Sequence, residues 1–177
     1  VNTNKVQNII SPEFKKPGNN IYLVDYKLSD ELLPNFDDLK ENFKFIYKNI
    51  QHKNIVSAYS LAYGGIIEAI TKMSFGNNIG AHIQTDYPLF NLKYGAIIVE
   101  SANLLDSNNI IYLGKTIDES NIIVNGNSIS IKEAIEANQT RYNELYPITH
   151  TDHRVIPDYK KATIKKSFER DPNQDVR

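Results

Sequence analysis

The 177-residue chain has no cysteine and no tryptophan, a single methionine and only eight glycines. Without cysteine there can be no disulfide and no thiolate metal site, and a reducing cytoplasm suits the chain. No apolar run approaches the roughly 20 residues that cross a bilayer. Excess charge of either sign is also lacking: 20 Lys and Arg face 21 Asp and Glu, a formal net charge of -1. That balance argues against nucleic acid or anionic membrane as a partner. The few arginines, Arg141, Arg154, Arg170 and Arg177, fall almost wholly in the last quarter, so no basic-aromatic nucleic-acid surface is expected. What the chain does have is 41% hydrophobic residues, enough for the core of one domain with a tail. Val1 in place of Met and a charged final stretch lead us to expect a piece of a longer polypeptide.

Apolar patterning and breakers predict the elements. A short strand is expected near Val6 to Ile10, and a firmer one over Ile21 to Tyr26. The stretch from Ser29 to Lys53 reads as a helix with acids early and lysines late, its apolar face formed by Leu39, Phe43, Ile46 and Ile50. Ile55 to Tyr59 reads as a strand. Gly65 to Phe75 reads as a helix striped by Ile66, Ile67, Ile70 and Met73, with Gly76 as its stop. Further strands follow over 79–87, 94–101, 108–117 and 120–131, the last bent by an Asn125–Gly126 hairpin turn. A helix from Ser130 to just before Pro147 closes the body. The expected fold is α+β, a mixed sheet flanked by helices in layers. The expected domain covers residues 1–149, and residues 150–177 form a charged linker or tail.

One turn invites chemistry. "SAYSLAYGG", residues 57–65, ends a strand and opens an apolar helix with two glycines. Backbone N–H groups at a helix start attract phosphate, so the turn can serve as a backbone cradle. Tight packing of helix on sheet is the other reading. Lysine after the glycines is absent, which excludes the Lys-Ser/Thr nucleotide loop, and the three spaced glycines of a dinucleotide site are absent too. Ser60 does not sit in a Gly-x-Ser-x-Gly elbow. Glu68, Asp86 and Glu100 are acids without evident partners, while His52 and His82 are assigned no role. His150, Asp152 and His153 have metal-ligand character, yet they open the polar tail, where a solvated linker is the better reading. No catalytic residue and no metal ligand is assigned.

The order of features adds a resemblance. "ISPEFKKPGNNIYLV", a long helix, "IVSAYSLAYGGIIEAITKMSFGNNIGAHI", "YGAIIVES" and "IIYLGKTIDESNIIVNGNSISIKEAIEANQTRYNELYP" follow one another over residues 5–147. This series resembles the C-terminal-type domain of the aminoimidazole ribonucleotide synthetase superfamily. Within it, the series is similar to the phosphoribosylformylglycinamidine synthase family in its long single-chain form. The family turn reads His-Asp-x-Ser-Asp-Gly-Gly-Leu. Here its glycines fall on Gly64 and Gly65, but Tyr59, Ser60, Ala62 and Tyr63 stand where the family has His, Asp, Ser and Asp. A hard cation wants carboxylate oxygens, and both of the turn's carboxylates are missing.

The resemblance implies a purine-biosynthesis ligase that uses ATP, magnesium and glutamine to turn formylglycinamide ribonucleotide into the amidine. It implies neighbouring ATP-binding and glutaminase domains as partners. This segment is then a degenerate, site-flanking domain, inactive alone, that carries no cofactor and has Ser60, Tyr63, Gly64 and Gly65 as its phosphate-proximal turn. Its turn packs or meets a partner domain, and a homodimer of the segment fits as well. Other readings are a selenophosphate, thiamine-phosphate or hydrogenase-maturation member of the superfamily, or a stand-alone binding or scaffold module.

Overall fold

A computed structural model of the chain describes residues 5–29, 31–143, 145 and 146. The chain divides into a unit over Val1–Arg141 and a second over Tyr142–Arg177. The expected boundary at residues 149 and 150 lies outside the described residues, as do His150, Asp152 and His153.

Among the described residues the first unit has seven strands and three α-helices. In chain order these are β1 (Asn20–Val24), α1 (Phe36–Gln51), β2 (Ile55–Ser60), α2 (Gly65–Phe75), β3 (Gly80–Ile83), β4 (Ile97–Ser101), β5 (Ile110–Ile117), β6 (Asn121–Val124), β7 (Asn127–Ser130) and α3 (Ile131–Thr140). The strands form one mixed sheet in the order β2-β4-β1-β5-β3-β6-β7. β3 and β6 run parallel. The other neighbours are antiparallel.

Alternation along β1 sorts the two faces. Ile21 and Leu23 join a cluster with Ile66, Ile70 and Met73 of α2 and Ile131 of α3. Tyr22 and Val24 point the other way, toward Ile46 of α1, Ile55 and Val99. Helices therefore cover both faces of the sheet. Each such aliphatic side chain, fully buried, contributes roughly 1.5–3 kcal/mol.

Local chemistry sets the element ends. The Asn35 side chain caps α1 by accepting from the N–H groups of Asp37 and Asp38, at 3.0 and 3.2 Å. Ser130 and Glu133 form a reciprocal capping box at the start of α3. Asn125 and Gly126 both have positive φ, 48° and 84°, as the tight hairpin between β6 and β7 requires.

Several expected boundaries shift. Val6–Asn8 is a 3-10 turn and not a strand, with Val6 and Ile9 exposed where no strand pairs with them. The first long helix starts at Phe36 instead of Ser29. Pro34 disfavours helical backbone at Leu33, and Leu28 instead makes a bridge to Pro34. Phe43 lies half exposed on the flank of α1 rather than on its buried face, which centres on Asn42 and Ile46. β3 ends at Ile83, because the Thr85 N–H and C=O turn aside to the Asn125 side-chain amide, both at 2.9 Å. Gly76 does follow α2, but in right-handed conformation; Asn78, at φ 54°, takes the left-handed position. α3 stops at Thr140, before the expected end near Pro147.

Glu100 is not partnerless. Its carboxylate is fully buried on β4 and accepts from Lys15 N at 2.8 Å, Lys16 N at 3.1 Å and Asn19 Nδ2 at 2.7 Å. Thr116 Oγ1 accepts from Asn19 N at 2.9 Å and donates to Lys16 O at 2.7 Å. Phe14, fully buried, donates its N–H to Met73 O at 2.8 Å. A carboxylate thus straps the chain leading into β1 across the α2 face.

Candidate functional site

β2 leaves the sheet at Ser60, and Leu61 is buried with its N–H on Ala96 O at 2.9 Å. The chain then turns through Ala62, Tyr63 and Gly64 into α2. Ser60 is exposed and Tyr63 is 83% exposed. The Ser60 and Tyr63 side chains are thus open to solvent within this unit, while Leu61 is buried in it. What packs is the backbone. Gly65 has φ +66°, and a Cβ there would stand 2.6 Å from Leu89 O and 2.7 Å from Phe90 C. Glycine is needed because the 89–91 backbone crosses the helix start, and because left-handed φ is costly for most residues with a Cβ.

Three amides at this helix start have internal acceptors. Gly64 N donates to Glu68 Oε2 at 2.7 Å, Gly65 N to Ala62 O at 3.1 Å and Ile67 N to Leu89 O at 3.1 Å. A carboxylate from the first turn of α2 thus lies at the positive end of the helix, where an anion is favoured. Lys72 pairs with Glu68 at 2.6 Å, one turn further along. The hydrogen bond from Lys72, and after it the Gly64 amide, hold the Glu68 carboxyl below its ordinary value, and Glu68 in turn raises Lys72.

The donor set does not fit a magnesium–nucleotide site. Ser60 and Tyr63 bring no carboxylate, and Glu68 is committed to Gly64 and Lys72. Among the described residues no group of three or more His, Asp or Glu could hold a metal ion. Beside the turn, α2 and α3 bound an open groove of about 580 Å³, lined by Tyr63, Ile67, Thr71, Phe75, Phe90 and Asn138 among others.

The 84–96 connection that crosses Gly65 is tied down elsewhere by groups that no short-range pattern reveals. The Tyr87 hydroxyl donates to Asp25 Oδ2. The Lys93 ammonium lies 2.6 Å from Asp25 Oδ1 and 4.8 Å over the Tyr26 ring, and donates to the Tyr87 oxygen at 3.3 Å. Tyr26 OH closes the set by donating to Tyr94 O at 2.7 Å. Burial, and after it the Asp25 carboxylate, push the Tyr87 hydroxyl well above its ordinary value.

No family model matches the chain. Phosphoribosylformylglycinamidine synthase subunit PurL of Picrophilus torridus is 28% identical over 150 residues, a match covering 70% of this chain and 20% of that protein. The chain therefore spans about a fifth of the length of the curated relative it matches. Thermotoga maritima PurL complexed with AMPPCP superposes with a TM-score of 0.57 at 12% identity, over 73% of this chain and 27% of that one. The same protein complexed with FGAR gives 0.58 at 11%, over 73% and 30%. The hydrogenase maturation protein HypE gives 0.51 at 9%, over 69% and 55%. At such identities the structures speak for the fold, a mixed-sheet α+β domain like that found in the PurL structures, and the sequence match adds a similarity to PurL over 150 residues.

Proposed function

We propose that this chain works as a site-flanking, structural domain of an ATP- and glutamine-dependent ligase that converts formylglycinamide ribonucleotide to formylglycinamidine ribonucleotide. In that reaction the amide oxygen takes the γ-phosphoryl group of ATP, and ammonia from glutamine then displaces it as phosphate. The products are the amidine, ADP, phosphate and glutamate. Positioned donors and magnesium stabilise the transferring phosphoryl group. In this reading those groups come from neighbouring ATP-binding domains and the ammonia from a glutaminase domain of the same polypeptide, in the cytoplasm. The chain alone has no synthetase activity.

The observation that carries the reading is the α2 turn. It has the strand–Gly-Gly–helix form of the family, yet Ser60 and Tyr63 replace its acids and Glu68 occupies the Gly64 amide. The likeness to PurL supplies the reaction class. Isothermal titration of the chain with magnesium-ADP and magnesium-ATP tests it. The expected result is no measurable heat of binding. Micromolar affinity that falls when Gly64 and Gly65 are altered would return the turn to nucleotide binding and overturn this role.

A further inference from the structure

We propose that Asn125 is a site of spontaneous deamidation, and that its conversion unfastens the start of the 84–96 connection from the β6–β7 hairpin.

Asn125 is the one asparagine of the chain that glycine follows. Deamidation begins when the main-chain nitrogen of the next residue attacks the asparagine Cγ, and glycine offers the least hindered nucleophile. The Gly126 nitrogen is open to that role. Both residues are exposed, at positive φ of 48° and 84°, in the turn between β6 and β7. Nothing lies within 4 Å of where a Gly126 Cβ would stand, and among the described residues no backbone carbonyl accepts its N–H. The electrophile is polarised as well. Thr85 N donates to Asn125 Oδ1 at 2.9 Å, the oxygen on which negative charge develops during attack.

The step needs water and neither oxidant nor cofactor. The Gly126 nitrogen gives its proton to solvent and bonds to Cγ. The Cγ–Nδ2 bond breaks, and Nδ2 leaves as ammonia with a proton from solvent. One water then opens the succinimide ring. Opening at Cγ yields aspartate, and opening at the Asn125 main-chain carbonyl yields isoaspartate. The net change is one amide and one water to one carboxylate and one ammonium.

The fold gives that change its consequence. The Asn125 amide clamps one residue from both sides, because Oδ1 accepts from Thr85 N while Nδ2 donates to Thr85 O, each at 2.9 Å. Asn125 N also donates to Ile83 O at 3.0 Å, so three bonds join the hairpin tip to the end of β3. A carboxylate sets a charged oxygen against Thr85 O where a donor stood, and that carbonyl loses its partner. Isoaspartate also lengthens the main chain by one carbon and spoils the two-residue hairpin. Loosening centres on Thr85 and Asp86, since the next residue, Tyr87, is held separately by its bond to Asp25.

Ageing the full 177-residue chain at mildly alkaline pH, with peptide mapping by mass spectrometry, tests this. Asn125 is expected to convert several-fold faster than any other asparagine, into a mixture of aspartate and isoaspartate. Gly126→Ala, checked for fold by circular dichroism, is expected to slow the conversion several-fold. Hydrogen exchange of the aged chain should quicken at Thr85 and at residue 125 and stay unchanged in β1. Asn125→Asp, which carries one product from the start, should show the same pattern. Conversion of Asn125 no faster than that of other asparagines, or no slower in Gly126→Ala, would overturn the assignment of the site. Converted chain whose exchange at Thr85 matches that of fresh chain would overturn the unfastening.

Discussion

Replacing Gly65 by alanine tests why the turn needs glycine. The structure offers two additive costs. Holding a residue with a Cβ at φ +66° costs about 1–2 kcal/mol. The new Cβ would also lie 2.6 Å from Leu89 O, so the 89–91 backbone has to retreat. That retreat breaks the 3.1 Å bond from Ile67 N to Leu89 O and leaves a helix-start amide without its acceptor, about 1–3 kcal/mol more. The total is roughly 2–5 kcal/mol. Gly126→Ala is the internal control. It too has positive φ, +84°, but nothing lies within 4 Å of its added Cβ. It should cost only the conformational part, about 1–2 kcal/mol. Urea denaturation of both variants and the parent measures the difference, expected at about 1–3 kcal/mol. Equal losses at the two positions would refute the argument that the crossing backbone, and not a ligand, demands the glycine.

Two further outcomes follow from buried or paired acids. Glu100→Gln should destabilise by about 2–4 kcal/mol, because an amide N–H₂ then faces backbone donors that wanted a carboxylate. Amide exchange at Lys15 and Lys16 should quicken more than that of β5, and wild-type stability would show the strap to be decorative. The Glu68 carboxyl titrates below its ordinary 4.5 when folded, so its contribution is present above that pH and lost as pH falls through the lowered value. Glu68→Gln should flatten that part of the acid limb of a stability curve, and an unchanged limb would mean that the pair with Lys72 adds nothing.

Short-range chemistry was legible. The alternation of β1, the stripe of Ile66, Ile70 and Met73, and the Asn125–Gly126 turn are written within a few residues of one another, and the structure has them where expected. Two local signals were available but misweighed. Pro34 already forbade a helix from Ser29, and Glu68 with Lys72 already had the spacing of a helical ion pair. The remainder depends on residues far apart in the chain. Gly65 needs its conformation because of Leu89 to Asn91, and Glu100 finds its donors 81 to 85 positions away. No window of periodicity contains such pairs. The openness of Ser60 and Tyr63 had the same origin, since the crossing segment packs on backbone and leaves the side chains outside.

The position of β1 has a consequence for synthesis. Its residues Asn20–Val24 pair with β4 on one side and β5 on the other, strands that begin only at Ile97 and Ile110. On the ribosome this apolar pentapeptide therefore emerges long before either partner, and its hydrogen-bonding edges wait for the greater part of the domain to be translated. Truncations that stop short of Ile117 would leave the middle of the sheet without its full complement of neighbours, and should collect as aggregates instead of as a smaller soluble fold.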